Sequence, residues 1–172
     1  MLMLRCPGDM PKGTVIEPIA SHLDIYPTLM ELTGIAPKPW LEGKSLVPLM
    51  RGKVAQIHAA VFTEQTYHGR LEALRSIRTE RYKLVLRHAP TGPIFRQDGP
   101  SRKVMEAAGY YDRPLGTMEL FDLYLDPMEA CNRVNDPAYQ TVLEELHGKI
   151  TAWMKETADP FPGGRFPPIP NA

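Results

Sequence analysis

No run of apolar residues in this sequence exceeds a handful, far short of the roughly twenty that a membrane-spanning helix needs. The apolar opening at residues 1–4 is followed at once by Arg5, which leaves it too short for the core of a signal peptide. Cysteine is scarce: Cys6 and Cys131 are the only two, too few for a disulfide framework or a cysteine-based zinc site. Both are expected to be free, buried, small apolar residues, with a mutual disulfide left open by the sequence. Neither sign of charge is in excess, since 20 Lys+Arg stand against 20 Asp+Glu. That balance argues against a nucleic-acid partner, which selects for a basic surplus. No repeat shows at any period. Proline, by contrast, is abundant: 18 of 172 residues, about twice the usual ~5%, which points to turns and crossings rather than long regular elements. With 43% hydrophobic and 23% charged residues, the composition is that of an ordinary globular chain, so wholesale disorder is excluded.

Residues 1–4 are apolar throughout with no alternation, the pattern of a strand buried on both faces. Nothing nearby offers it sheet partners, so it reads as a strand of a larger fold. Residues 14–20 are expected to be extended, and 24–33 helical. Asp24 is one N-cap candidate, Ser21 with Asp24 fits a capping box one turn earlier, and Gly34 is the stop. Ile25, Leu29 and Leu32 would form the buried stripe of this helix. Residues 36–52 carry Pro37, Pro39, Gly43 and Pro48 and read as an irregular crossing with one short helical turn. Strands are expected at 59–66, 73–78, Tyr82–Arg87 and 118–123, the middle two joined tightly through Thr79-Glu80-Arg81. Between them, 89–116 is a long loop. Asp136-Pro137 opens a helix to about Thr157 with Val142, Leu146, Ile150, Trp153 and Met154 on one face. Residues 161–172 read as an extended or disordered tail.

Four stretches in order resemble the C-terminal part of sulfatases. They are "LRCPGDMPKG", "SHLDIYPTLMELTGI" with "GKSLVPLMRG", "SIRTERYKLV", and "ELFDLYLDPMEACN" with its Asp-Pro-x-Glu turn. Within that family, "FTEQTYH" at residues 62–68 and "WMKETADPF" at 153–161 look most similar to heparan N-sulfatase (N-sulfoglucosamine sulfohydrolase). The resemblance implies an α/β fold, more narrowly an α+β piece. Residues 1–52 would be the last strand, helix and crossing of an alkaline-phosphatase-like sulfatase core. Residues 53–160 would be a C-terminal subdomain, a four-stranded antiparallel sheet packed on a C-terminal helix, and 161–172 a proline-rich tail.

The resemblance also implies hydrolysis of a sulfate ester or sulfamate on a sulfated carbohydrate. In that family a formylglycine hydrate, made from Cys or Ser in a C/S-x-P-x-R stretch, attacks sulfur, while calcium and basic residues stabilise the charge. Neither cysteine and none of the four serines stands in such a stretch. The acidic calcium ligands of the family precede the matched segment, and scattered carboxylates do not replace them. Formylglycine and calcium are therefore expected only in a full-length parent, and this chain is expected to be inactive alone. The expected partners are a sulfated carbohydrate and a missing N-terminal half, with no nucleic acid and no membrane. Parent sulfatases are commonly exported or lysosomal, and no signal for either is read in this sequence.

By the same resemblance, His68 and Gln65 at the end of a strand are candidate substrate-pocket residues, since a histidine there can serve sugar hydroxyls or carboxylates in either protonation state. Arg75, opening the next strand, is a candidate for pairing with an anionic group. The other bases, Arg70, Arg78, Arg81, Lys83 and Arg87, read as a solvated hairpin face balanced by Glu72 and Glu80. Asp122, Asp126 and Glu129 read as a turn in which Asp126 caps backbone amides, not as a metal loop. His22, His58, His88 and His147 have no partner at catalytic spacing. Two other accounts compete: a standalone carbohydrate-binding or interaction module derived from a sulfatase, and an unrelated hydrolase using His68 or His58, for which isolated residues are the sole support.

Overall fold

The structure is a computed structural model that describes residues 2–5, 12–67, 71–88, 98–112 and 116–161, apart from the side chains of residues 67, 71 and 72. The chain divides into two compact units, Met1–Val61 and Phe62–Ala172.

In the first unit a 3-10 turn, His22–Asp24, leads into helix α1, Ile25–Leu32. The capping box forms as the Ser21/Asp24 spacing predicts: the Ser21 amide donates to Asp24 Oδ2 at 2.7 Å, and the Ser21 hydroxyl accepts from within the turn. Ser21 is thus the cap, and Asp24 makes no capping bond of its own to α1. The short helix α2, Val47–Met50, is the single turn expected in the crossing segment. The crossing buries Leu46, Val47 and Leu49, and polar contacts fix its path. Asp24 Oδ1 accepts from the Lys44 amide at 2.8 Å, and Thr28 Oγ1 accepts from the Leu46 amide at 2.8 Å. Gly43 lies so close to the preceding turn that a Cβ there would stand 2.0 Å from the Leu23 carbonyl oxygen, so only glycine lets the two backbones meet.

This arrangement corrects two expectations. Pro27, Thr28 and Met30 are the buried residues of α1, whereas Leu29 of the expected stripe is 49% exposed. The face turned inward is the one that satisfies backbone amides of the crossing. Leu23, Tyr26 and Leu29 stay outside, and the exposed Trp40 stacks on Tyr26 with centroids 6.4 Å apart. Likewise Leu2, Met3 and Leu4 form no strand and are exposed. A strand is made by its neighbours, and none is found for it among the described residues.

The second unit is built on a sheet in the order β1-β2-β3-β4, comprising Val61–Tyr67, Leu71–Arg78, Tyr82–Arg87 and Met118–Asp122. Strands β2 and β3 pair antiparallel with Ile77 opposite Leu84, and β3 and β4 antiparallel with Leu84 opposite Leu120. The tight link between β2 and β3 closes on Thr79, whose amide donates to the Tyr82 carbonyl at 2.8 Å. Between β3 and β4, helix α3, Ser101–Ala107, and a 3-10 turn at Tyr110–Asp112 occupy part of the stretch read as loop. α3 buries no residue, so it carries no apolar stripe for a sequence reading to detect. After β4, Asp136 caps a 3-10 turn by accepting from the Ala138 amide, and helix α4 runs Gln140–Glu156. The core forms where one face of the sheet (Ala73, Ile77, Leu84, Leu86, Leu120) meets Leu146, Ile150 and Met154 of α4. Each such large side chain taken from water contributes on the order of 1.5–3 kcal/mol. Trp153 stacks flat on Phe62 at 5.0 Å, which fastens β1 to the same helix. Among the described residues no helix is long and apolar enough to cross a membrane.

Candidate functional site

β1 and β2 carry two of the three residues singled out as pocket candidates, Gln65 and Arg75. His68 lies outside the described residues, as does Arg70. Gln65 is half-buried on β1. Thr63 Oγ1 and Ser76 Oγ sit 2.6 Å apart, and alternate residues of a strand share a face. Gln65 therefore lies with Thr63 and Ser76 on one face of the sheet, and Arg75 on the other.

Arg75 is 1% exposed. Its Nε and Nη2 both donate to the Asp159 carboxylate. Its Nη1 donates to the carbonyls of Gln65 at 3.2 Å and Leu74 at 2.9 Å. Glu64 stands 3.7 Å from Nε, and the Phe161 ring covers the guanidinium at 5.3 Å. Burial pushes the Asp159 carboxyl up, but hydrogen bonds from Arg75 and from the Phe161 amide outweigh it and hold the group below the usual carboxylate range. In this arrangement Arg75 is committed to Asp159, and it touches Gln65 of β1 at the backbone. An incoming anion would have to displace a buried partner, and breaking such a pair costs on the order of 3–5 kcal/mol.

Three of the other bases of the hairpin are paired, but not with the nearby glutamates, while Arg78 is exposed. Arg81 Nη2 donates to Asp122 Oδ2 at 2.8 Å, Lys83 Nζ to Glu129 at 2.6 Å, and Arg87 Nη2 to Glu119 at 2.7 Å. All three partners lie on β4 or in the turn after it, while Glu80 is exposed. The hydrogen bond from Arg81 lowers the Asp122 carboxyl, against the opposing push of burial. Asp126 caps its turn as expected, accepting from the Cys131 amide at 2.8 Å, and this bond is the largest cause of its lowered carboxyl. Cys131 is free and exposed rather than buried, because its backbone is what this turn holds. Cys6 lies outside the described residues.

Two interactions escaped the sequence. His58 Nε2 stands 2.9 Å from both oxygens of the fully buried Asp24, 34 residues upstream. Asp159, just past the end of α4, is the partner of Arg75 across 84 residues. Neither spacing is one that a local motif search inspects. Among the described residues, no group of three or more His, Cys, Asp or Glu could hold a metal ion. The three carboxylates with buried side chains, Asp24, Asp122 and Asp159, are each engaged by the partners just described. The described residues therefore do not fit a hard divalent cation, which needs several convergent free oxygens.

Comparison with known proteins gives a consistent picture. Residues 1–91 match the family described as N-sulphoglucosamine sulphohydrolase, C-terminal. The chain is 25% identical to an ulvan-active sulfatase of Formosa agariphila, over 92% of this chain and 29% of that protein. It is 31% identical to human arylsulfatase D, over 91% of this chain and 27% of that protein. Among solved structures it is similar to a putative sulfatase from Bacteroides thetaiotaomicron, with TM-score 0.61, 26% identity, and 86% of this chain on 27% of that one. It is also similar to a 2-O GAG sulfatase, with TM-score 0.60, 26% identity, and 83% of this chain on 26% of that one. The chain thus spans less than a third of the length of these relatives.

Proposed function

This chain belongs to the family of N-sulphoglucosamine sulphohydrolase C-terminal regions, and from that premise we propose that it serves as the C-terminal part of a sulfatase acting on sulfated carbohydrate. The observation that carries this reading is the coverage: nine-tenths of this chain aligns with under a third of each of two sulfatases. In this role the chain shapes the substrate pocket and is inactive alone. The formylglycine nucleophile and the calcium ion belong to the remainder of the parent polypeptide. The far end of β1 borders the pocket, with Gln65 and His68 as the groups that meet sugar hydroxyls. Arg75 stands behind them as a strut that holds the Gln65 carbonyl.

The same reading accounts for the exposed Leu23, Tyr26, Leu29 and Trp40 of the first unit. That apolar face is covered by the preceding part of the parent sulfatase, because a surface of this kind left in water is a liability. The substrate class follows the relatives, whose names point to ulvan and to glycosaminoglycan.

The test has two parts. The intact mass of the native gene product is expected to reveal a longer chain with a C/S-x-P-x-R stretch, and the isolated 172-residue chain to release no sulfate from sulfated glycosaminoglycan oligosaccharides. In the longer enzyme, Gln65→Ala is expected to raise KM more than it lowers kcat. Sulfate release by the isolated chain would overturn the reading. A native product beginning at Met1 that binds sulfated oligosaccharide as a folded monomer would favour the standalone binding module.

A further inference from the structure

His88 follows β3 and is anchored by its backbone, its amide donating to the Ala73 carbonyl at 2.9 Å. Its ring stacks on Phe161 with centroids 5.8 Å apart and planes 25° from parallel. The same Phe161 ring covers the Arg75 guanidinium. His88 Nε2 is buried and has no hydrogen-bond partner among the described residues. In the neutral ring this nitrogen can be a bare acceptor, a modest cost. In the imidazolium it carries a proton, and a buried charged donor without an acceptor is far more expensive.

The charged and titratable groups facing His88 come from each element packed on it. Arg75 on β2 repels a positive ring, and Asp159 after α4 attracts it. His147 on α4 adds a weaker repulsion. The attraction is already spent elsewhere, since the Asp159 oxygens accept from Arg75 and from the Phe161 amide. Burial, followed by Arg75, accordingly holds His88 below the ordinary histidine range.

We propose that His88 is a proton-operated latch on residues 159–161. Neutral, it lets Phe161 close over the Arg75–Asp159 pair; protonated, it opens that clasp by competing for Asp159 and by demanding an acceptor that none of the described residues gives Nε2. Arg75 also holds the Gln65 carbonyl, so opening the clasp frees the far end of β1. The inference does not depend on the sulfatase reading, because it concerns groups within the second unit.

The sign follows from linkage. A base held below its ordinary value binds more protons in the open state, so the clasp is fully stable above about pH 6.5 and weakens as pH falls below it. The experiment is hydrogen exchange of the amides of Thr157, Ala158, Asp159 and Phe161 in the full chain, between about pH 7.5 and about pH 5, with His88→Phe and His147→Gln alongside. The unaltered chain and His147→Gln are expected to lose protection at these amides at the lower pH, and His88→Phe to keep it. Equal loss in His88→Phe, or no loss in the unaltered chain, would overturn the latch. Should His88→Phe fail to fold, an NMR titration of the His88 ring in the unaltered chain decides. A midpoint below the ordinary range, with the Phe161 ring signals moving together with it, supports the latch. A midpoint in the ordinary range, or Phe161 signals that do not follow, overturns it.

Discussion

Around Asp24 the first unit turns polar groups inward and leaves Leu23, Tyr26, Leu29 and Trp40 outside, whereas the second unit packs Ile77, Leu84, Leu120, Leu146 and Ile150 into one apolar layer between sheet and helix. The difference concerns what each can do unaided. An apolar layer is driven together by water alone, without direction. A hub such as Asp24 specifies geometry well but yields little net stability, because each bond replaces one to water. The second unit therefore holds its own core. The first buries a smaller set, Met30, Leu46, Val47 and Leu49, and on the proposed reading its exposed apolar side is covered by a neighbour.

The sharpest way to break this comparison is to empty the hub. Asp24→Ala leaves the Ser21 and Lys44 amides and His58 Nε2 without their acceptor. Removing one partner of a buried network costs about 3–5 kcal/mol. Residue-resolved hydrogen exchange is expected to show protection lost across 21–58 and retained in β3 and α4. Next in size, Ile150→Ala opens a cavity at a side chain that is 0% exposed, for about 2–5 kcal/mol. A urea titration followed by Trp153 fluorescence is expected to show the lowered midpoint. Smaller again is Asp136→Ala, which removes the N-terminal cap of the turn leading into α4 at about 1 kcal/mol; the same titration reads it. Least of all, Lys83→Ala breaks an ion pair with Glu129 whose two side chains are about a quarter to a third exposed. Such pairs are worth about 0–1 kcal/mol, and a thermal melt is expected to move little.

How much of this was legible follows the range of the interaction. α4 announced itself through Asp136-Pro137 and the spacing of Leu146, Ile150 and Met154, all local signals. The β2–β3 hairpin and the Asp126 turn did so through short-range turn chemistry. Arg75–Asp159 and Asp24–His58 did not, because a buried ion pair between distant residues leaves no period. Leu29 misled because helical spacing records that a face is apolar, not that a partner is present in the chain. Leu2, Met3 and Leu4 misled in the same way. α3, with its Arg102 paired to Asp98 and Glu106 on the surface, buries nothing and so left no pattern. For the pocket candidates, β1 was legible as a strand, but the faces taken by Gln65 and Arg75 emerged only from the Thr63–Ser76 contact.

The most direct test of the two-unit account is hydrogen exchange on the isolated 172-residue chain without any partner. Strong protection in β3 and α4 together with weak protection across α1 and the crossing to residue 58 is the predicted result. Protection across α1 equal to that of α4 would contradict it, because the first unit would then need no neighbour to complete it.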